Sequence, residues 1–416
     1  MRKPIIQVWF NLRNLRIKID LSSYCSFCNL QSACCIELSL SMTTVRLLKN
    51  GTEAFPAMFK AIERAGSCIA LEMYLVADDE TGREFRSHLE KAARRGIEVM
   101  VLVDAWGSLS LPDGFWDTLR EAGGMVRWFR PLRKGLLPFR DHRKMLLVDD
   151  HLVYISGLNV ANEYYRGGVG EPPWRDNALE IAGIEAVHLR SAFSRMWVRA
   201  DLPLRKSIFL RSSDRAGRAV FGGKVQFLES GPENPFHLER RAYRQVIHRT
   251  TKSIDLAMSY FYPPGSVMRA LRRAVNRGVR VRLLFPKKND VAIARWAAHG
   301  LYGRLLRAGM EVWEYKPTMM HAKLTIADET VIAGSANLDI RSGRLNYELV
   351  AIVNDPQVAD EARADFEADL REAEYIHLDE WNVRPFIQKI KERVSYLLLA
   401  RADLFISRME IMRKMW

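Results

Sequence analysis

The chain has 416 residues, of which 48% are hydrophobic and 27% charged, with a formal net charge of +14. That length exceeds one ordinary domain, and the composition excludes wholesale disorder. The charge favours polyanions, namely nucleic acid, anionic lipid or phosphorylated substrates, without choosing among them.

In chain order, residues 1–41 stand apart. Basic residues interrupt the apolar ones of MRKPIIQVWFNLRNLRIKID, so no signal peptide is expected there. No apolar run of about eighteen residues marks a transmembrane helix. Cys25, Cys28, Cys34 and Cys35 cluster, but the second pair has the wrong spacing for a zinc ribbon or finger, and no metal is expected. The segment has no amphipathic period and is expected to be a poorly ordered extension without a fold.

A regular domain pattern starts at about residue 44. An amphipathic helix leads to the apolar strand CIALEMYL, then to a helix ending in RRG and the strand IEVMVLVD. The same series returns from residue 246: a helix, SIDLAMSYF, a helix ending in NRG, and VRVRLLFP. Gly96 and Gly278 stand where helix C-cap glycines belong. Next come MVRWFRP and EVWEYKP, and beyond them one motif twice: His142, Lys144 and Asp149, then His321, Lys323 and Asp328, both H-x-K-x(4)-D. A strand and a small-residue turn follow each copy, LVYISGLNVAN and TVIAGSANLD. The expected organisation is a first repeat over 44–200, an Arg/Ser/Gly-rich linker over 201–223 and a second repeat over 224–375. A basic amphipathic tail over 376–416 ends the chain. Alternating strands and helices predict an α/β sandwich in each repeat. Two like halves are expected to pack about a pseudo-twofold axis and to bring the two motifs face to face.

Period-two geometry places His and Lys of each motif on one side of a strand. Lysine is a poor metal ligand, and no second His or carboxylate stands at metal spacing. A lysine beside a histidine suits a phosphate. His142, Lys144, His321 and Lys323 are therefore expected around one phosphate, with Asn159, Ser335 and Asn337 of the following turns donating further hydrogen bonds. Displacing an alkoxide from a phosphodiester needs a nucleophile and an acid, and two histidines supply both.

At these residues the chain resembles the phospholipase D superfamily, whose signature is the doubled H-x-K-x(4)-D motif. LEMYL, SGLN, WRDNALEIAG, GSANLDIRS and LNYELV follow in order. HRKMLLVDD, NVANEYY, the WRD segment and YFYPP are similar to the bacterial cardiolipin synthase branch. The resemblance implies two phospholipase D-like α/β sandwich repeats sharing one active site at their interface. It implies condensation of two phosphatidylglycerols to cardiolipin and glycerol, or use of phosphatidylethanolamine as partner lipid, without a cofactor. It further implies a phosphatidyl intermediate on His142, His321 as general acid and base, and Asp176 and Glu348 as the carboxylates that orient the imidazoles. Asp149 and Asp328 complete the catalytic signature, but are expected to anchor strand ends rather than to touch substrate. There are two departures. Ser156-Gly157 stands where many relatives have Gly-Gly or Gly-Ser. Six residues separate Asp149 from Ser156 but five separate Asp328 from Gly334, which is expected to shift Ser335 and Asn337 slightly.

The superfamily also holds hydrolytic phospholipases, nucleases and nonenzymatic relatives, and those readings stay open here. A lipid enzyme must reach a bilayer. Residues 381–416 carry eight Lys/Arg against three Asp/Glu, and Phe386, Ile387, Ile390, Val394, Leu397 and Leu398 follow helical spacing. KGLLPF, residues 134–139, is a further candidate for membrane contact. An anionic phospholipid membrane, rather than an obligate nucleic acid, is the expected partner, approached peripherally on the cytoplasmic side of the bacterial inner membrane.

Overall fold

The computed structural model describes residues 7–12, 15–20, 43–130, 139–202, 223–232, 238–339, 342 and 345–399. Cys25, Cys28, Cys34, Cys35, most of the linker, residues 134–138 and the tail beyond residue 399 lie outside them. Residues 1–42 and 43–416 are two units. The extension was expected to lack a fold, yet β1 (Gln7–Leu12) pairs antiparallel with β2 (Leu15–Asp20). Val8, Trp9, Phe10, Ile17 and Ile19 are β-branched or aromatic, and they suit a paired ribbon better than the irregular sequence around them suggests.

In the second unit each repeat builds one sheet. The first uses β3 (Thr44–Lys49), β4 (Cys68–Met73), β5 (Glu98–Asp104), β6 (Met125–Phe129), β7 (Lys144–Val148), β8 (Leu152–Ser156) and β9 (Asn177–Ala182). Their order is β3-β9-β8-β7-β4-β5-β6. The second uses β10 (Val225–Ser230), β11 (Ser253–Met258), β12 (Arg280–Pro286), β13 (Glu311–Tyr315), β14 (Lys323–Ala327), β15 (Thr330–Gly334) and β16 (Glu348–Asn354), with β17 (Ala373–Tyr375) added at its edge. Its order, β10-β16-β15-β14-β11-β12-β13-β17, repeats the first strand for strand. The helical crossovers join parallel neighbours (β4, β5 and β6; β11, β12 and β13), and the hairpins supply antiparallel ones.

Helices α1 (Asn50–Arg64) and α2 (Glu80–Arg94) cover one face of the first sheet. Asp79 starts α2 by accepting from Gly82 N at 2.8 Å, and Gly96, at φ 84°, ends it. Gly278, at φ 88°, closes the matching helix of the second repeat, as the RRG and NRG endings led one to expect. Strand alternation then divides the core. On β7, Leu146 and Val148 face α1 and α2, and Met145 and Leu147 face the other way. Those inward residues share one cluster with Leu324 and Ile326 of β14, and with two helices, α3 (Val187–Asp201) and α7 (Pro356–Arg371). Helices α4 (Leu238–Arg249), α5 (Gly265–Asn276) and α6 (Ala292–Arg307) contribute Tyr243, Leu271 and Leu305 to the second sheet's outer core. The junction of the repeats is thus a hydrophobic core, which gives the groups at its rim fixed positions.

A buried arginine–aspartate pair crosses that junction. Arg175, just ahead of β9, donates from Nε to both carboxylate oxygens of Asp369 on α7, at 3.0 and 2.8 Å. Its second nitrogen lies 2.8 Å from Oδ2, and the two side chains are 3% and 4% exposed. Asp369→Ala leaves the guanidinium buried and uncompensated. It is expected to cost about 3–5 kcal/mol of stability, measured by urea unfolding.

Candidate active site

Each motif enters its strand from a loop held by the opposite repeat. Asp141 bridges to Tyr347 and Met320 to Arg175. The His142 amide donates to Tyr347 O at 2.9 Å, and the His321 amide to Arg175 O at 2.7 Å. The next residue after each acceptor is a carboxylate. Glu348 opens β16, and both of its oxygens lie 3.0 Å from His142 Nδ1. Asp176 precedes β9, and its Oδ2 lies 2.8 Å from His321 Nδ1. The pairs are crossed: each repeat's imidazole is held by the other repeat's carboxylate. A carboxylate at Nδ1 keeps the proton there and leaves Nε2 as the reactive nitrogen.

The lysines sit behind the rings. Lys144 Nζ donates to His142 O at 2.8 Å and lies 5.1 Å from the Tyr74 ring centroid. Lys323 Nζ donates to His321 O at 2.5 Å and Ser259 Oγ at 3.2 Å, and lies 2.9 and 3.1 Å from the two His321 ring nitrogens. Burial pulls Lys144 down to about 7 against the opposing pull of Glu348. It pulls Lys323 down to about 8 against Asp176. His321 is also lowered, first by burial and then by Lys323, with Asp176 opposing. Glu348 is raised by its burial, with Lys144 opposing. An anion placed among these groups supports the protonated form of both lysines and of His321.

Three residues were expected to donate to a phosphate here, and the motif aspartates to anchor strand ends. Ser335 was expected to bind phosphate, but its Oγ donates to Glu348 Oε2 at 2.6 Å and accepts from Leu349 N at 3.0 Å. It braces the carboxylate that holds His142, and Asn346 Nδ2 does the same at 3.2 Å. Asn337 Oδ1 accepts from Ser259 Oγ at 2.8 Å, one step behind Lys323. Asn159 Nδ2 donates to Tyr164 Oη at 2.7 Å, one step behind His321. Asn159 thus commits the amide nitrogen expected on a phosphate, whereas Asn337 commits only its oxygen. The aspartates lie at the far strand ends. Asp149 accepts from the amides of Gly66, Ser67 and Cys68 at 2.9, 2.7 and 3.0 Å. Asp328 accepts from those of Thr251, Lys252 and Ser253 at 2.7, 3.0 and 3.0 Å. The two therefore do not join the histidines; they tie the start of β4 to the end of β7, and of β11 to that of β14.

Burial raises both aspartates, but the amide bonds outweigh it and leave them below the usual range. Their stabilisation is present above the unfolded pKa and is lost as pH falls through the lowered folded value. Asp328→Ala is expected to cost about 1–3 kcal/mol at neutral pH and much less in acid, with kcat nearly unchanged. Urea unfolding across pH, beside an activity assay, checks this.

The two sequence departures also find an account. The extra residue sits in the turn, Asp149–His151 against Asp328–Glu329, so β8 and β15 end in step at Ser156 and Gly334. The expected shift of Ser335 and Asn337 therefore does not arise from it. Gly157 occupies the place of Ser335, and a Cβ there would lie 2.4 Å from Asp176 Oδ1. The shorter carboxylate needs that space, whereas the longer Glu348 takes a hydroxyl bond instead. Spacing did not single out the aromatic walls. Tyr74 meets His142 edge-on at 4.7 Å, and Tyr164 and Trp174 lie 5.2 and 5.9 Å from His321. All three stand inside LEMYL, NVANEYY and the WRD segment, the only signal for them.

Comparison with known proteins agrees with this geometry. The family model described as "Cardiolipin synthase, PLD-like domain" matches residues 58–197 and 243–370, one segment in each sheet. Cardiolipin synthase 1 of Bacillus cereus is 32% identical over 366 residues, covering 86% of this chain and 72% of that protein. Cardiolipin synthase A of Pseudomonas aeruginosa PAO1 is 35% identical over 367 residues, covering 86% and 74%. Among solved structures, phosphatidylserine synthase of Haemophilus influenzae superposes with a TM-score of 0.67 at 16% identity, covering 87% of this chain and 94% of that one. That likeness concerns the fold. The relatives and the matched repeats together place the chain in the cardiolipin synthase family of phospholipase D-like proteins.

Proposed function

We propose that the chain joins two phosphatidylglycerols into cardiolipin and glycerol, or uses phosphatidylethanolamine as partner lipid, through a phosphatidyl-histidine. The observation that carries the reading is the crossed arrangement of two imidazole–carboxylate pairs, each with its buried lysine. In the first step His142 Nε2 attacks phosphorus, the P–O bond to glycerol breaks, and the leaving oxygen takes the proton from His321 Nε2. In the second step a hydroxyl of the incoming lipid gives its proton to His321 Nε2 and attacks phosphorus. The P–N bond breaks and His142 is restored. The bound phosphate offsets the burial and the lysine charge that lower His321, and so supports its acid form in step one. Lys144 and Lys323 carry the charge of the transition state, a task that otherwise falls to a metal ion. Asp176 and Glu348 orient the rings and stabilise imidazolium.

Hydrolysis differs only in the acceptor, with water in place of the lipid hydroxyl. The chain works at the surface of a bilayer, on the cytoplasmic side of the inner membrane; among the described residues no helix is long and apolar enough to cross one. Purified protein is incubated with phosphatidylglycerol vesicles without divalent metal, with and without phosphatidylethanolamine, and products are resolved by mass spectrometry. Cardiolipin plus glycerol is expected. Phosphatidic acid alone would replace transfer by hydrolysis, and no lipid product would reject both.

A further inference from the structure

The helix over 386–399 faces the wrong way for an ordinary surface helix. Its apolar row is outside: Phe386 and Ile387 are 75% and 80% exposed, and Ile390, Val394, Leu397 and Leu398 continue it. Its inward side carries Glu392 and Ser395, 2% and 5% exposed. Hydrophobic burial alone favours the reverse orientation, so something specific holds this one. Glu392 Oε1 accepts from Arg384 at 2.5 Å and lies 3.6 Å from His299 Nδ1. His299 Nε2 in turn meets Glu314 at 2.8 Å. At Gly300 of α6 a Cβ would stand 3.0 Å from the Glu392 carbonyl oxygen, so the helix lies close against α6. The polar clasp fixes the apolar row outward, and an exposed row of this kind marks an interaction surface.

A second observation adjoins it. A cavity of about 530 Å³ is lined by Arg269, Arg272, Arg304 and Arg307, with Met268 and Tyr396. Tyr396 belongs to the same helix, one turn on from Glu392 and packed against the core, so the cavity borders the helix on its inward flank. Among the described residues none of the four arginines has a carboxylate partner. Unpaired guanidinium groups over an apolar floor suit a phosphate on an amphiphilic stem. A second copy of this chain would present the same positive field and be repelled.

We propose that this face docks on an anionic bilayer, its apolar row entering the headgroup boundary and its arginine cavity holding a lipid phosphate distinct from the one that reacts. The proposal rests on the reading that the substrates are membrane phospholipids. The test uses the full chain and sedimentation with vesicles of phosphatidylglycerol and phosphatidylcholine, against phosphatidylcholine alone. Two variants are compared: R269Q/R272Q/R304Q/R307Q, and F386S/I387S/I390S. Turnover of short-chain phosphatidylglycerol in detergent micelles is measured in parallel. Wild type is expected to bind the anionic vesicles selectively. Each variant is expected to bind them about tenfold more weakly or worse, with micellar turnover retained. Wild-type binding by both variants would overturn the proposal. So would a helix variant that changes only from dimer to monomer in light scattering, which makes the row a subunit interface. So would an arginine variant that loses calorimetric binding of inorganic phosphate but keeps vesicle binding, which makes the cavity a soluble-anion site. Absence of micellar turnover in wild type counts against the catalytic reading alone, because vesicle binding is scored separately.

Discussion

His142→Ala and His321→Ala are each expected to lower phosphatidyl transfer by about 10⁴-fold or more in a radiolabelled lipid assay. The two losses differ in kind. Without His142 no P–N bond forms, and the phosphate meets only an acid and two ammonium groups. Without His321 the nucleophile remains, oriented by Glu348 through Nδ1, but the leaving glycerol oxygen has no proton donor. A substrate with a better leaving group, such as a p-nitrophenyl phosphodiester, is therefore expected to recover the first step in His321→Ala and not in His142→Ala. Equal rescue of both variants would contradict the assignment of roles.

Glu348→Gln is expected to reduce kcat by about 10²–10⁴-fold with a much smaller change in KM. The substitution keeps length and packing, but an amide nitrogen facing Nδ1 donates where the carboxylate accepted. The ring loses the negative charge that stabilises its imidazolium, and where the N–H is the group that meets Nδ1, the ring proton moves to Nε2 and the nucleophilic lone pair is lost. The amide also places a donor against the Asn346 Nδ2 donor if it occupies the Oε1 position, 3.2 Å away. Ser335, which donates to Oε2, accepts only one orientation of the new side chain. Steady-state kinetics of Glu348→Gln separates this from a binding role, which would raise KM and spare kcat.

The duplicated architecture was legible because it is written locally. Helix period, strand alternation and the glycines at 96 and 278 each depend on a few neighbouring residues. The same is true of His and Lys sharing a strand face. The crossed carboxylates were not legible from spacing, since His142 and Glu348 stand 206 positions apart and meet only through the core between the sheets. The resemblance named Asp176 and Glu348 but not which imidazole each one holds. Ser335 was misread for a related reason: a hydroxyl beside a phosphate site looks like a phosphate donor until the buried carboxylate that claims it is placed. The tail illustrates the same limit. Its apolar spacing announced an amphipathic helix, but which side faces outward is decided by the buried His299–Glu392 contact, which no periodicity contains.

The mechanism turns on a covalent phosphatidyl group on His142, with His321 on the other side of the phosphorus. The most direct measurement is peptide-mapping mass spectrometry, at neutral to alkaline pH, of His321→Ala after brief exposure to the activated phosphodiester. A phosphatidyl adduct is expected on the peptide bearing His142, lost on acid treatment and absent from the His142→Ala/His321→Ala double variant. An adduct on another residue, or undiminished turnover by His321→Ala on phosphatidylglycerol without any adduct, would contradict it.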